Sequence, residues 1–313
     1  MLIVSWPGQA HSQATAGVPT IGILTLSAGP NESIIESFRA GLRKFGYVEG
    51  RNIRLEHKYA EGRAERLPHL ARELAKLKVD AIVTGGGPTI RAVLEASAAI
   101  PIVAVVHEAD PAASGLIESY RRPGANVTGI YAGELEAVGK RLELLKEVFP
   151  DLKHVAVLWD QYTRFKLEEL KTAARSEGVV LHLIEVNAPY DFEGVFRTAK
   201  RQGAHAAMVL LTYAFYARRK ELASAALKER MPTMHEKDDL VKAGGFMSYG
   251  ASFDDTWGRA AYFVDRILRG AKPMDLPVEQ VSTFRLTVNR KTATALGVNV
   301  PQAILMRAEE VTQ

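Results

Sequence analysis

The sequence predicts an α/β fold built as two lobes, each a parallel β-sheet flanked by helices. Three observations carry that expectation. Short apolar runs rich in Val and Ile, such as TIGILTL and PIVAVV, alternate with segments whose apolar residues recur at helical spacing. Runs of that kind suit strands buried on both faces, as parallel sheets require. At 313 residues the chain exceeds what one core readily fills, so two domains are the first expectation. Gly- and Pro-rich joints then divide the strand–helix series into two parts of similar size.

The first part opens with a strand over 20–26. Asn31 is placed to cap a helix carrying Ile34, Ile35, Phe38, Leu42 and Phe45 on one face, and Gly46 is placed to end it. A strand over 52–59 and a helix over 63–77 follow. The organising stretch is VDAIVTGGGPTIR, from Val79 to Arg91. It reads as a buried strand, a turn through Gly85, Gly86 and Gly87, and a helix restarting after Pro88. Glycine lets backbone come close to a ligand, Pro suits the first helical position, and the helix N-terminus attracts anions. The loop lacks the Lys of a phosphate-binding loop and does not read GxGxxG. It is expected to hold the anionic group of a small ligand; a merely Gly-rich strand-to-helix turn is the other reading. Strand 101–106 runs into HEADP. Ligands of such sheets sit beyond the carboxyl ends of the strands, where three loops meet: 27–29, 85–89 and 107–110.

RRPGANVTGIYAG reads as a crossing segment. A helix through Leu135, Val138, Leu142, Leu145 and Phe149 then starts a second series. Strands are expected at 154–159, 179–186 and 206–211, with helices over 165–177, 191–202 and 215–230 and a short strand at PTMHE. The strand-end loops of this half carry Asp160, Gln161 and Tyr162; Thr212 and Tyr213; His235 and Glu236. AGGFMSYGAS (243–252) is a second Gly-rich joint, before a helix with Trp257 on its apolar stripe. A last strand over 284–289 and a helix over 291–296 close the series. A third joint near 280–283 would pass the chain between the lobes again, giving a hinge of several segments that closes on a ligand. The expected division is 1–17 as a residual export-signal-like or disordered segment, 18–126 plus 250–281 as one lobe, and 127–249 plus 282–313 as the other.

Composition removes several functions. The chain contains no cysteine, which excludes disulfides, thiolate zinc sites and Cys nucleophiles. Its net charge of +4 is spread over helix faces, with no basic block long enough for a nucleic-acid arm. No apolar run approaches the length of a membrane span. His107, Glu108 and Asp110 lie too close together on one loop to converge as a metal or catalytic cluster, and hydrogen bonding or ligand contact is expected of them. His235, Glu236, Asp238 and Asp239 do not have HExxH spacing and read as capping and solvation. No GxSxG is present. Trp257 is expected in the core, and Tyr249 either in the hinge or on the ligand.

The runs GLRKFGYVEGRNIRLEHKYAEGRAERLPHLARELAKLKVDAIVTGGGPTIRA, IPIVAVVHEADPAASGLIESYRRPGANVTGI, KRLELLKEVFP, AGGFMSYGASFDD and the tail from Arg269 to Val311 resemble the substrate-binding proteins of ABC transporters. The resemblance is to the branch that includes binders of tryptophan and other aromatic amino acids, and it covers Val18 to Val311. It implies a periplasmic-binding-protein type I fold, export to the periplasm, and delivery of a small organic solute to the permease subunits of an ABC transporter. It also implies that Gly86, Gly87 and Thr89, with Ser27 opposite, hold a ligand carboxylate. The amino-acid binders place an acid after the strand that ends here at Leu211, where this chain has Thr212 and Tyr213. DQYTRF likewise replaces the usual Asn/Pro-rich turn after Trp159. An aromatic or apolar carboxylate faced by Tyr162, Tyr213 and Phe215 therefore fits better than an ammonium-bearing ligand, since a buried ammonium needs a carboxylate partner. Glu236 is the acid that would restore an aromatic or branched amino acid.

The expected ligand-binding residues are thus Ser27, Gly86, Gly87, Thr89, His107, Asp110, Asp160, Tyr162, Tyr213, Phe215, Glu236 and Tyr249. No cofactor, metal, catalytic residue or nucleic-acid partner is expected, and the protein is expected to act as a monomer. Two rival functions lack their requirements. A transcriptional regulator of similar fold needs a DNA-binding domain ahead of the first strand, and the short leading segment leaves no room for one. A racemase or other α/β enzyme needs an acid–base pair, and none stands out.

Overall fold

The computed structural model describes residues 17–27, 29, 32–106, 110–124, 126–135, 137–281 and 283–312. The first half runs β1 (Thr20–Thr25), α1 (Glu32–Lys44), β2 (Arg54–Tyr59), α2 (Leu67–Lys76), β3 (Ala81–Gly85), α3 (Gly87–Ala96), β4 (Ile102–Val106) and β5 (Val127–Tyr131). The second runs α4 (Ala137–Val148), β6 (His154–Trp159), α5 (Leu167–Glu177), β7 (Val180–Glu185), α6 (Phe192–Arg201), β8 (Ala206–Val209), α7 (Tyr213–Ala217), α8 (Arg219–Lys228), β9 (Thr233–His235), α9 (Asp238–Lys242) and β10 (Met247–Gly250). α10 (Phe253–Leu268) and β11 (Glu279–Gln280) return to the first half. β12 (Arg285–Asn289), α11 (Arg290–Leu296), α12 (Gln302–Arg307) and β13 (Glu310–Thr312) finish in the second.

Two sheets result, as in the two-lobed type I binding-protein fold. The first has the order β11-β5-β4-β3-β1-β2 and the second β13-β12-β10-β9-β8-β6-β7. Every pairing is parallel except β10 with β12. Successive side chains of a strand feed opposite faces, so each sheet has two cores. In the first, Ile82, Ile102 and Ala104 pack beneath α2 and α3, while Val83, Val103 and Val105 pack beneath α1 and α10. Val155 and Val157 in the second sheet likewise face the opposite way from Ala156 and Leu158. Each fully buried aliphatic side chain of this kind contributes about 1.5–3 kcal/mol relative to exposure.

The chain crosses between the sheets three times, through 132–136, 251–252 and 281–284. Two expectations need correction. Val127–Tyr131, assigned above to a crossing segment and to the second lobe, is a buried strand of the first sheet. Gly129 interrupts its apolar run because only a residue without Cβ fits there: its φ is +142°, and a Cβ would run into the Ala104 backbone. AGGFMSYGAS is also more than a joint, since it contains β10 in the middle of the second sheet. Asn31, assigned as the cap of α1, lies outside the described residues. Gly46 follows α1 with φ +86°, the left-handed conformation that commonly ends a helix.

Candidate functional site

The carboxyl ends of β1, β3 and β4 face those of β6, β8 and β9 across a cavity of about 620 Å³. On the first-lobe side, Thr25, Ser27 and the 85–89 turn form the wall, with Ile34 and Ile35 from α1 and Tyr59 from β2. Gly86 has φ +89° and precedes α3, and Pro88 occupies the first turn. Ser27 Oγ shares a 2.6 Å hydrogen bond with Thr25 Oγ1 and donates to the Gly29 carbonyl at 2.8 Å. Thr89 turns its hydroxyl back onto the carbonyls of Gly85 and Gly86. That fixes the turn, and the helix N-terminus and Arg91, which also lines the cavity, are the anion-attracting parts of this wall.

The second-lobe wall is aromatic and charged. Thr212 Oγ1 accepts from the Phe215 amide at 3.2 Å, capping α7, which brings Tyr213 and Tyr216 to the cavity. From the first lobe, α10 is capped by Ser252 in the same way, and its first residue, Phe253, meets Tyr216 edge-to-face at 6.1 Å between centroids. Phe165 and Tyr162 remain 38% and 50% exposed, so the mouth of the cavity carries aromatic surface. Lys166, Glu236 and Lys237 complete the wall, all with less than 4% exposure. Lys166 Nζ donates to both Glu236 oxygens, at 2.7 and 2.6 Å. Tyr213 also reaches across to the first lobe. It lies over Gly62, whose φ is +74° and where a Cβ would be 2.7 Å from Tyr213 Cε1.

Of the expected residues, Ser27, Gly86, Gly87, Thr89, Tyr162, Tyr213 and Glu236 line the cavity. Four others do not. Asp110 accepts from the amides of Ala112 and Ala113 at 2.8 and 3.2 Å, which makes it the brace of a turn. Asp160 accepts from the Tyr162 amide at 2.8 Å and is 6% exposed; burial pushes its pKa up. Phe215 is fully buried and meets Phe192 edge-to-face at 5.8 Å, because two residues along α7, about half a turn, carry it to the opposite face from Tyr213. Tyr249 sits on β10 and stacks on Phe284 at 5.6 Å. His107 lies outside the described residues. Trp257 packs in the first-lobe core as expected, and it also reaches the cavity.

The sequence reading missed the charges. Glu236 was expected either to meet the ligand or to stand in a solvated capping turn, and the neighbouring Lys237 was given no role, yet both are buried in ion pairs. Lys166, Arg141 and Glu134 went unremarked altogether. A Lys two residues beyond the aromatic Arg164-flanked turn carries no local signal of burial. A second groove, of about 610 Å³, runs between the end of β7 and α6 on the outer side of the second lobe, open to solvent. Among the described residues no group of three or more His, Asp or Glu is placed to hold a metal ion. None of the described helices is long and apolar enough to cross a membrane.

A two-lobed receptor with a cavity between its sheets is the architecture of a solute-binding protein, and comparison with known proteins agrees. The chain belongs to the family described as ABC transporter substrate binding protein, whose model matches residues 21–312. It is 22% identical over 287 residues to a tyrosine-binding protein of Clostridioides difficile, covering 89% of this chain and 81% of that protein. In three dimensions it is similar to a conserved domain protein of Vibrio cholerae, with a TM-score of 0.85 and 25% identity over 95% of this chain and all of that one. It is similar also to an ABC domain in complex with L-Trp from Streptococcus pneumonia, with a TM-score of 0.83 and 22% identity over 94% of this chain and all of that one.

Proposed function

We propose that this protein is the extracytoplasmic receptor of an ABC importer, closing on an aromatic or apolar carboxylate and presenting its two lobes to a permease. The observation that carries the reading is the cavity itself: aromatic side chains from both lobes around a wall with buried cationic groups. Aromatic faces suit a ring. Burying a phenyl-sized group there stabilises the complex by on the order of 2–3 kcal/mol. Contacts made to both lobes at once exist only in the closed state, and that difference is what allows a ligand to drive closure.

An aromatic or branched amino acid is the second reading, favoured by Glu236 at the cavity wall and by the ligands of the C. difficile and S. pneumonia relatives. The plain carboxylate leads because Lys166 already engages both Glu236 oxygens. An ammonium would have to displace that lysine and strand it in a dry site.

The test is a thermal-shift screen followed by calorimetry, with benzoate and phenylpropionate against tyrosine, tryptophan, leucine and a sugar. At a hundredfold excess over Kd, a ligand adds about 2.7 kcal/mol, which raises the Tm by several degrees. A shift with the acids and none with the amino acids supports the leading reading. The reverse pattern replaces it with the second, and a shift with the sugar alone rejects both.

A further inference from the structure

At the end of the second lobe away from the cavity, three adjacent strands bring histidines to one face. His154 opens β6, its outer neighbour β7 carries His182, and His205 stands just ahead of β8 on the other side. The register sets them together. His154 pairs with Val180 and Ala156 with His182, so the two histidines are diagonal neighbours, within reach of one another for long side chains. His205 lies beside His154, whose carbonyl accepts from its amide at 3.0 Å. All three share the side of the sheet on which Ala156, Leu158, Ala207 and Val209 pack against α6 and α8.

His154 Nδ1 and His182 Nε2 are joined by a hydrogen bond of 3.1 Å, with the rings stacked at 5.3 Å between centroids. The His205 ring meets His154 edge-on at 6.2 Å. Two imidazole nitrogens held by one ion at about 2.0–2.1 Å stand roughly 3.0–3.4 Å apart in right-angled to tetrahedral geometry. The pair is therefore at chelating distance before any ion arrives. A neutral imidazole is the form that binds a metal. Partial burial, and then the neighbouring His154, holds the His182 pKa below its ordinary value, which favours that form at neutral pH. The hydrogen bond needs only a tautomer change to give way: the donating ring carries its proton on its other nitrogen, and both lone pairs turn to the ion. No net proton is released.

We infer that His154 and His182 form a two-histidine site for a divalent transition ion that prefers imidazole: copper, nickel or zinc. Both rings are partly exposed, so water completes the coordination; among the described residues no third side chain is placed to do so. The site is separate from the solute cavity, which lies at the other end of β6. A bound ion clips β7, the edge strand of the second sheet, to its neighbour. The unfolded chain has no such fixed pair, so the ion stabilises this lobe by binding the native state. Imidazole sites take copper(II) above nickel(II) and zinc(II), whereas magnesium(II) prefers oxygen.

The test uses the chain without an affinity tag, stripped with EDTA and titrated with the chlorides of these four metals. Calorimetry is expected to show saturable binding of copper(II), weaker binding of nickel(II) and zinc(II), and none of magnesium(II). His154→Gln and His182→Gln, each checked for folding by circular dichroism, are each expected to bind copper(II) at least tenfold more weakly. Electron paramagnetic resonance of the copper form gives a readout that a change in stability does not move. Coupling to two imidazole nitrogens is expected in the unaltered protein and to fewer in either variant. Absence of saturable binding of copper(II), nickel(II) and zinc(II) to the unaltered protein overturns the inference. A copper signal without imidazole coupling does so as well. Undiminished binding in both variants, or an equal loss in His69→Gln on α2, overturns it by moving the ion elsewhere.

Discussion

The first-lobe wall of the cavity contains one full charge, that of Arg91, among Ile, Thr, Ser and Gly with Tyr59, Phe253 and Trp257. The second-lobe wall contains three, Lys166, Glu236 and Lys237, among tyrosines and a phenylalanine. Both walls come from the same α/β architecture at the same ends of their strands. They differ in how far along the chain the parts of each are gathered. The first wall's turn is made by one continuous stretch, in which strand, turn and helix follow one another. The second draws its charges and their partners from residues 134 to 251, and each buried charge is stable only because the others are present. A contiguous loop can bind through backbone, whereas a scattered set of side chains selects by charge.

That contrast is sharpest in stability. Glu134→Gln leaves Lys237 and Arg141 without their buried carboxylate and is expected to lower unfolding free energy by about 3–5 kcal/mol. Arg91→Ala, on an exposed side chain of the opposite wall, is expected to cost under about 1 kcal/mol. Urea denaturation of both variants tests this, and comparable losses would erase the distinction.

The next effect is pH. His235, at the end of β9 under the second wall, is fully buried, and burial lowers its pKa from 6.5 to about 3. Between those values the unfolded chain takes up a proton that the native state refuses. Stability from this group is therefore complete above pH 6.5 and declines as pH falls toward 3, by about 1.4 kcal/mol per unit at most. Tm measured from pH 7 to 4 should drop less steeply in His235→Asn than in the parent. Parallel curves would show that another group governs the acid limb.

Smaller effects separate ring contact from turn architecture. Tyr213→Ala removes an aromatic wall and the contact with Gly62, and about a tenfold loss of affinity is expected, or about 1.4 kcal/mol. Thr89→Ala deletes a hydroxyl that bonds the chain's own carbonyls, so its effect is expected first on stability, at about 1 kcal/mol, with a weaker effect on binding. Calorimetry with the strongest ligand of the screen ranks the two, and a larger binding loss in Thr89→Ala would make the first wall the dominant one.

The same contrast explains what could be read in advance. The fold was legible because its buried strands are continuous apolar runs, and VDAIVTGGGPTIR announced its strand, turn and helix in order. β5 and β10 were hidden by glycines that tolerate close backbone approach, which in a linear reading look like joints. Tyr162 and Tyr213 were placed on the cavity from their strand-end positions, whereas Phe215 and Tyr249 shared the neighbourhood and turned away. The ion network was illegible for a physical reason. A Lys or Glu is ordinarily a surface residue, and only its partners a hundred residues distant make its burial possible.

Gly62 sets how near Tyr213 comes to the first lobe. Tyr213 rests on bare backbone there, with no side chain for it to interlock with, so the two lobes meet as a lid meets a rim. One methyl group at that position would act as a wedge between the lobes, directly at the contact. The spacing of the lobes at this contact is thus set by an atom the protein does without.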